Sequence, residues 1–378
     1  MAWESPLHKG VRSKPPKSKS LFGPNSTEWR SCHGPCLLRS CRAYSAPEVK
    51  FSVDRPGRAS AVPMNIGWTT QPYNAAATVP ARPPSCLSMP IANPMPKGAW
   101  LHHETDTVLG ILGTAGDIVS GYFAKDTDVA FKNIDEPVTA ADRECSAFIT
   151  SSLRNVFPDD GILSEEEPDT TVRLSKERVW IIDPLDGTQE FVIGLPQFVI
   201  MVGLAIHGKP CLGIVLQPTS GLVYIGIPGM GAWVHRNGCT LPARAGHRNE
   251  LSRMRAAVSR SHLTALMETC LDDAGFAERT RIGSAGLKAG LVAEDQADCW
   301  FHASIGLKEW DVCAPHAILE AAGATVTDCW GRDRRYNQAD YHLRHGVIAS
   351  NGRRHAQLID HISRVCANHG FHGDNGFA

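Results

Sequence analysis

The densest group of chemically capable side chains is the segment Asp183-Pro-Leu-Asp-Gly-Thr188, which follows an apolar stretch. That stretch predicts a buried strand over Val179–Asp183, which the proline ends and a tight glycine turn follows. Two carboxylates three residues apart at a strand end can converge on one point, and oxygen ligands of this kind hold hard divalent cations. Asp183, Asp186 and the Leu185 carbonyl are therefore potential metal ligands. The structural alternative is that both aspartates only shape an Asx turn.

Three adjacent acids, Glu165 to Glu167, stand ahead of this motif. They follow the apolar pair Ile162 and Leu163, at the end of what the pattern predicts to be a short strand. A solvated charge run is the usual explanation for such a cluster. Its position before the aspartate motif nevertheless makes one of the three a potential third metal ligand.

Two further aspartates stand where helices are predicted to begin. Asp311 precedes the apolar stripe of a helix over 311–322, and Asp142 comes three residues after Thr139. Aspartate is a preferred helix cap, and the third position after a threonine cap is where the acid of a capping box belongs. The residues alone therefore favour a capping role for both.

The elements that position these acids are two leading helices, a set of strands and an alternating second half. Apolar residues recur at helical spacing over 104–122, and again after the N-cap Thr139. Short links between the next strands predict an antiparallel meander. The predicted strands are Val179–Asp183, Phe198–Ile206, Cys211–Leu216, Leu222–Ile227 and Ala232–His235. Past about residue 250 we predict strands Ala256–Ser259, Cys299–His302, Ala324–Thr327 and Val347–Ser350, with helices over 263–274, 284–294, 311–322 and 353–366. The fold class is therefore α+β, in two halves.

Composition sets limits on the function. The chain has 378 residues, 43% of them hydrophobic, which is enough for one large domain or two. With 38 basic and 39 acidic residues overall, a nucleic-acid partner is not expected. The longest apolar run, Phe198–Ile206, is too short to span a bilayer, so no membrane insertion is expected. Twelve scattered cysteines and no apolar signal core predict a reducing, cytoplasmic location.

The first hundred residues differ in texture from the rest. They hold 13 basic and 4 acidic residues and 15 of the 25 prolines, which predicts a mostly disordered basic extension. A transit peptide to an organelle, or a gene start placed too early before Met89 or Met95, are the alternatives. Cys32, Cys36 and Cys41 are interpreted as incidental, because their spacing is not a paired metal knuckle. We expect the folded domain over 101–367, with halves at about 101–250 and 251–367, and a flexible tail over 368–378.

Taken together, the motifs resemble the lithium-sensitive, magnesium-dependent phosphomonoesterases that include inositol monophosphatase, fructose-1,6-bisphosphatase and 3′(2′),5′-bisphosphate nucleotidase. The resemblance covers roughly residues 104–350. It rests on three ordered motifs, namely Glu165-Glu166, Asp183–Thr188, and Trp310-Asp311 leading to Ala322-Gly323. It implies a layered α/β sandwich of the inositol monophosphatase type, with alternating helix and sheet layers.

Finer motifs are most similar to the bacterial bisphosphate nucleotidases of sulfate assimilation. They are Pro137–Asp142, Leu163–Glu166, Glu190-Phe191, Ser259-Arg-Ser-His262, Gly283–Lys288 and Lys308–Pro315. The implied reaction removes the 3′-phosphate of 3′-phosphoadenosine 5′-phosphate to give AMP, with an inositol phosphate or sugar phosphate as the alternative substrate. Two positions depart from the pattern: Gln189 replaces a frequent lysine, and Ala324 a common glycine.

The resemblance also implies residue roles. Glu165, Asp183 and the Leu185 carbonyl would bind one Mg²⁺, and Asp183, Asp186 and Asp311 a second, with two or three ions per site. Thr188, with Asp142 or Glu165 behind it, would orient the attacking water. The implied substrate contacts are Leu185, Asp186, Gly187, Thr188, His262, Ser284, Lys288 and Asp311.

Three alternatives to these roles stay open. Lys288 is alternatively an ordinary solvated helix residue, and His262 a packing or capping residue. Arg260 is an alternative to His262 as the contact for the second phosphate.

A catalytically silent binding module is disfavoured because all five expected metal-ligand positions are filled. A monomer and a homodimer are both compatible with the sequence, and the expected partner is a small nucleotide.

Overall fold

The computed structural model describes residues 91–123, 129–133, 136–276, 278–372 and 376–377. Its helices are α1 (His102–Phe123), α2 (Ala140–Val156), α3 (Thr188–Val192), α4 (Ala265–Ala274), α5 (Ala285–Ala293), α6 (Glu309–Ala321) and α7 (His355–Asn368). Its strands in the first half are β1 (Val129–Asn133), β2 (Glu136–Thr139), β3 (Gly161–Ser164), β4 (Arg178–Asp186), β5 (Val199–Ile206), β6 (Lys209–Gln217), β7 (Leu222–Ile227), β8 (Gly231–Arg236) and β9 (Cys239–Ala243). The second half has β10 (Arg255–Ser259), β11 (Glu278–Ile282), β12 (Cys299–His302), β13 (Thr325–Thr327), β14 (Val347–Ser350), β15 (Phe371–His372) and β16 (Gly376–Phe377).

Five alternating layers make up the folded part. Helices α1 and α2 pack on one face of a large sheet ordered β3-β4-β5-β6-β7-β8-β9, in which only the β3–β4 pair is parallel. Helices α5 and α6 fill the space between this sheet and a smaller one ordered β11-β10-β12-β14-β13. Helices α4 and α7 cover the outer face of the smaller sheet. The predicted α+β sandwich of two halves is confirmed.

Most predicted elements occur, with shifted ends. Strands Leu222–Ile227, Cys299–His302 and Val347–Ser350 have the predicted bounds, and the meander from β4 to β8 is antiparallel as expected. The helix predicted from residue 311 instead begins at Glu309. Strand β11, Glu-Arg-Thr-Arg-Ile, was not predicted because it is an edge strand with exposed charged side chains and no apolar alternation.

A track of glycines lets α6 lie close against the large sheet. Gly203, Gly213 and Gly226 are cross-strand neighbours on β5, β6 and β7. A Cβ at Gly213 would overlap the carbonyl of Ala314, and a Cβ at Gly203 would lie 2.8 Å from Cys313 Sγ. The helix backbone therefore rests directly on the sheet, and this close approach sets the position of the helix N-terminus.

The packed part of the chain extends beyond the predicted domain at both ends. Met95 and Leu101 are buried against α1, and Asn93 Nδ2 donates to the His102 carbonyl at 3.0 Å. At the other end, Phe371 is fully buried and β15 pairs with β16, so the expected tail over 368–378 is partly built into the domain. The predictions for residues 1–90, including the three cysteines, lie outside the described residues.

The described helices and cysteines bear on the expectations for membrane insertion and for a reducing compartment. Within the described ranges, no helix is both long and apolar enough to cross a bilayer. The described cysteines are free thiols, and most of them are buried.

Candidate active site

A cavity of about 530 Å³ brings most of the predicted site residues together. Its walls include Glu165, Asp183, Leu185, Asp186, Gly187, Thr188, His262, Ser284, Lys288 and Asp311. Asp142 is the exception, because it is buried behind Thr188 and does not line the cavity. The residues come from both halves of the fold, so the site lies where the two halves meet.

A β-bulge at the end of β4 shapes the aspartate motif. Asp183 pairs with Met201 and Asp186 with Val199, so three steps on β4 oppose two on β5. The strand therefore does not stop at Pro184, as the sequence predicted, but continues through a bulge that tolerates a proline without an N–H. Asp183 Oδ1 accepts from Leu185 N at 3.0 Å, so the expected Asx turn is present as well.

Gly187 turns the chain from β4 into α3. Its φ is +97°, and a Cβ there would lie 2.8 Å from the Gln197 carbonyl oxygen, so a side chain would be both strained and obstructed. Helix α3 begins at Thr188, directly beside the cavity. This turn presents the backbone of Gly187 and Thr188 to the cavity.

Burial and neighbouring acids raise the pKa values of Asp183 and Asp311 in the cavity. Burial raises the pKa of Asp183 well above its ordinary value, and repulsion from Glu165, Asp186 and Asp311 adds to the shift. Desolvation, and then the charge of Glu165, raises the pKa of Asp311 to about 8. Carboxylates that repel one another in this way are the donor set that a hard divalent cation stabilises.

The donor set fits a cation by its chemistry, although the side chains do not converge on one point. Among the described residues, no three His, Cys, Asp or Glu side chains are gathered in an arrangement that could hold an ion. Two of the aspartates are instead hydrogen-bonded to other groups of the protein. Asp186 Oδ2 accepts from Ser284 Oγ at 2.6 Å, and Asp311 Oδ2 accepts from Lys308 N at 2.6 Å. One oxygen of each of these two carboxylates is thus held by the protein.

Asp311 is the third residue of α6 and not its cap. Lys308 is the residue before the helix, and its N–H is bonded to the Asp311 carboxylate. Asp311 therefore does satisfy a backbone N–H at the start of the helix, but from the third helical position and not from the cap position. The same contact orients Asp311 at the cavity wall.

Thr188 and Asp142 form a hydrogen-bonded pair at the edge of the acidic cluster. Thr188 Oγ1 lies 3.3 Å from Asp142 Oδ1 and 3.0 Å from the Leu185 carbonyl. Asp142 Oδ2 accepts from the N–H and the hydroxyl of Thr139, at 2.7 and 2.6 Å, which completes the predicted capping box. Burial raises the pKa of Asp142, against the opposing effect of these Thr139 hydrogen bonds.

The second half contributes the opposite wall of the cavity. Lys288 is buried on α5; burial lowers its pKa, while Asp186, Glu190 and Asp311 oppose that shift. Lys288 is therefore not the solvated residue that its helix position alone would suggest. Ser284 caps α5, and its hydroxyl both donates to Asp186 and accepts from Leu287 N at 3.1 Å. His262 lines the same wall at the end of the loop after β10.

The cavity also includes residues that the sequence analysis did not assign. Among them are Glu190, Ser259, Ser261, Trp300, His302 and Lys308. Ser259 ends β10 and His302 ends β12, and these two strands are parallel neighbours. The carboxyl ends of adjacent parallel strands share a sheet edge, so the predicted strand ends held a usable signal for both residues.

The comparisons with known proteins agree with this geometry. A sequence profile described as the inositol monophosphatase family matches residues 100–366. The chain is 36% identical over 249 residues to the 3′(2′),5′-bisphosphate nucleotidase CysQ of Escherichia coli O157:H7, covering 65% of this chain and 98% of that protein.

Solved structures give the same result. The structure of CysQ from Bacteroides thetaiotaomicron, described as a bacterial member of the inositol monophosphatase family, is 28% identical with a TM-score of 0.57, covering 66% of this chain and 97% of that one. An inositol monophosphatase structure from Thermotoga maritima is 26% identical with a TM-score of 0.61, covering 70% and 99%. The chain therefore belongs to the inositol monophosphatase family.

Proposed function

We propose that the chain is a Mg²⁺-dependent 3′(2′),5′-bisphosphate nucleotidase that hydrolyses the 3′-phosphate of 3′-phosphoadenosine 5′-phosphate to AMP and phosphate. The observation that carries the proposal is one cavity with acids on one wall and Lys288 and His262 on the other. A bisphosphate needs both walls, because its second phosphate must also meet donors or positive charge. The nucleotidase relatives support the same substrate class.

The metal ligands we propose are Glu165, Asp183, the Leu185 carbonyl, Asp186 and Asp311, which would hold two or three ions. Mg²⁺ held there supplies charge neutralisation of the phosphate and polarisation of a water molecule. The raised pKa values of Asp183 and Asp311 support this assignment, because a bound cation stabilises the buried carboxylates and relieves the repulsion that adds to the effect of burial.

The protein groups we propose for hydrolysis are Thr188, Asp142 and Glu165. Thr188 Oγ1, held between Asp142 and the Leu185 carbonyl, orients the attacking water. Glu165, or Asp142 through the Thr188 hydroxyl, then accepts the proton of the water as its oxygen bonds to phosphorus and the bond from phosphorus to the ribose 3′-oxygen breaks. The 3′-oxygen leaves as a hydroxyl of AMP after it takes up a proton from solvent. The backbone N–H groups of Gly187 and Thr188 bind the phosphate oxygens at the start of α3.

The substrate contacts follow from the same cavity. We propose that Lys288 and His262 bind the second phosphate, and that Leu185, Asp186 and Asp311 lie beside the reacting one. Ser284 contributes mainly through Asp186, since its hydroxyl already forms two hydrogen bonds within the protein. A cytoplasmic location is proposed with this function, and the free thiols of the described residues support a reducing compartment.

The substrate is tested by measuring phosphate release with Mg²⁺ from 3′-phosphoadenosine 5′-phosphate, inositol 1-phosphate and fructose 1,6-bisphosphate. Comparing kcat/KM on one preparation separates the three directly. We expect the nucleotide to be strongly preferred. A preference for inositol 1-phosphate, the substrate class suggested by the Thermotoga structure's name, would refute the nucleotidase assignment and leave the metal site in place.

The site assignment is tested by Asp183→Asn and Asp311→Asn, each of which removes one ligand charge. Both variants should fold and lose turnover by a factor of at least about 100. Glu144→Gln is a matched control, because Glu144 lies on α2 and outside the cavity. Near-native rates in either aspartate variant would overturn the assignment.

A further inference from the structure

The segment 186–197, which links the aspartate motif to β5, is hydrogen-bonded to two loops of the second half. We call these the His262 loop, residues 259–262, and the Ser284 loop, residues 283–286. Asp186 Oδ2 accepts from Ser284 Oγ and from Gly286 N at 3.0 Å. The buried Glu190 accepts a hydrogen bond from the Ser261 hydroxyl. The acid-bearing wall is thus tied to the opposite wall by direct bonds.

Gln197 joins both loops at a single oxygen. Its Oε1 accepts from Arg260 Nε at 2.9 Å, in the His262 loop, and from Gly283 N at 3.0 Å, in the Ser284 loop. The backbone is equally close, because a Cβ on Gly283 would lie 2.7 Å from the Gln197 carbonyl oxygen. Glycine at 283 therefore allows the Ser284 loop to rest on Gln197.

The His262 loop is also bound to β11, the strand that leads into the Ser284 loop. Arg260 N donates to the Ile282 carbonyl at 3.1 Å, and Arg260 Nη2 donates to the Arg281 carbonyl at 3.2 Å. The two loops leave adjacent parallel strands, β10 and β11. If the bonds to Gln197 were lost, the loops would keep their connection through β11, and only the bonds of Asp186 and Glu190 would still hold them to the segment 186–197.

We propose that Gln197 is a positioning residue that sets the span between the acidic wall and the wall bearing His262 and Lys288, and so the preference for a bisphosphorylated substrate. This inference rests on the proposed function. His262 follows Arg260 by two residues, and Lys288 follows Ser284 by four on α5, so both depend on loops that Gln197 holds. A substrate with a single phosphate contacts only the acidic wall and is insensitive to this span.

The test compares 3′-phosphoadenosine 5′-phosphate with 3′-AMP, which has the reacting phosphate but not the second one. In Gln197→Ala we expect kcat/KM for the bisphosphate to fall about tenfold through KM, with kcat and the 3′-AMP reaction changed less than about twofold. Gln197→Glu keeps an acceptor at Oε1 and should retain most of the preference. If Gln197→Ala does not fold, Gln197→Met removes the acceptor at nearly constant volume.

Gln217→Ala is the matched control. Gln217 Nε2 donates to the Pro196 carbonyl at 2.6 Å, next to Gln197, and its Oε1 accepts from Ser220 Oγ at 2.6 Å, so its amide is bonded away from the His262 loop and the Ser284 loop. It should leave the ratio of the two substrates unchanged. If Gln197→Ala lowers kcat/KM equally for both substrates, so that the ratio between them is unchanged, the positioning role is overturned. If the wild-type enzyme itself shows no preference for the bisphosphate over 3′-AMP, the proposed function fails instead.

Discussion

Ser284 combines a strained backbone with two hydrogen bonds, and replacing it separates the two effects. Its φ of +62° and ψ of 133° lie in a region that non-glycine residues rarely occupy. The side chain is buried, caps α5 and donates to Asp186. Ser284→Ala loses both bonds and keeps the strain, whereas Ser284→Gly loses both bonds and relieves it.

The expected magnitudes follow from these terms. At an ordinary N-cap, glycine is more stable than alanine by about 0.5–1 kcal/mol. Relief of the backbone strain at Ser284 adds about 1–3 kcal/mol. We therefore expect Ser284→Gly to be about 1.5–4 kcal/mol more stable than Ser284→Ala, and Ser284→Ala to be less stable than the wild type because the bond to the Asp186 carboxylate is lost.

Thr264 provides the internal control, because it caps α4 with an ordinary φ of −82° and accepts from Met267 N at 3.2 Å. Its Ala and Gly variants should differ by no more than about 1 kcal/mol. The assay is urea denaturation of metal-depleted protein, so that metal binding does not contribute. Equal stability of the two Ser284 variants would refute the strain argument. Both should also need more Mg²⁺ for half-maximal activity, since Asp186 loses the same partner.

Three further outcomes are expected. Gly213→Ala should destabilise the fold by about 1–3 kcal/mol in urea denaturation and should lower kcat, because the added Cβ would push Ala314 and the helix that bears Asp311 away from the sheet. A variant as stable and as active as the wild type would contradict this prediction. Burial lowers the pKa of His355 to about 4, so the neutral imidazole contributes about 3 kcal/mol to stability above about pH 6.5, and this contribution is lost as the pH falls through about 4. The difference in stability between the wild type and His355→Gln should therefore narrow between pH 7 and pH 4.5, and a constant difference would contradict the pKa shift. Chelation with EDTA should abolish turnover and lower the Tm, and added Mg²⁺ should restore both; a Tm that ignores Mg²⁺ would argue against the ligand set.

The sequence predicted the chemistry of the site better than its geometry. The motifs identified the acids and the wall formed by Ser284 and Lys288, because these residue types and spacings are specific. They did not reveal that β4 continues past Pro184 through a bulge, since that depends on pairing with Val199 and Met201 on the next strand. Edge strand β11 was missed for a similar reason: only its pairing with β10 makes it a strand.

The position of Asp311 shows why distant contacts decide the site. Its motif marks it as a ligand, and a local contact with Lys308 N orients it, but neither places it near Asp183. That placement depends on α6 lying against Gly203, Gly213 and Gly226, which belong to three different strands. The residues that surround any one of these glycines in the sequence do not indicate that a helix packs against it. The acid and the glycine track therefore act together. Because the large sheet carries glycines there, α6 lies close enough to bring a carboxylate of the second half to the proposed metal-binding motif of the first.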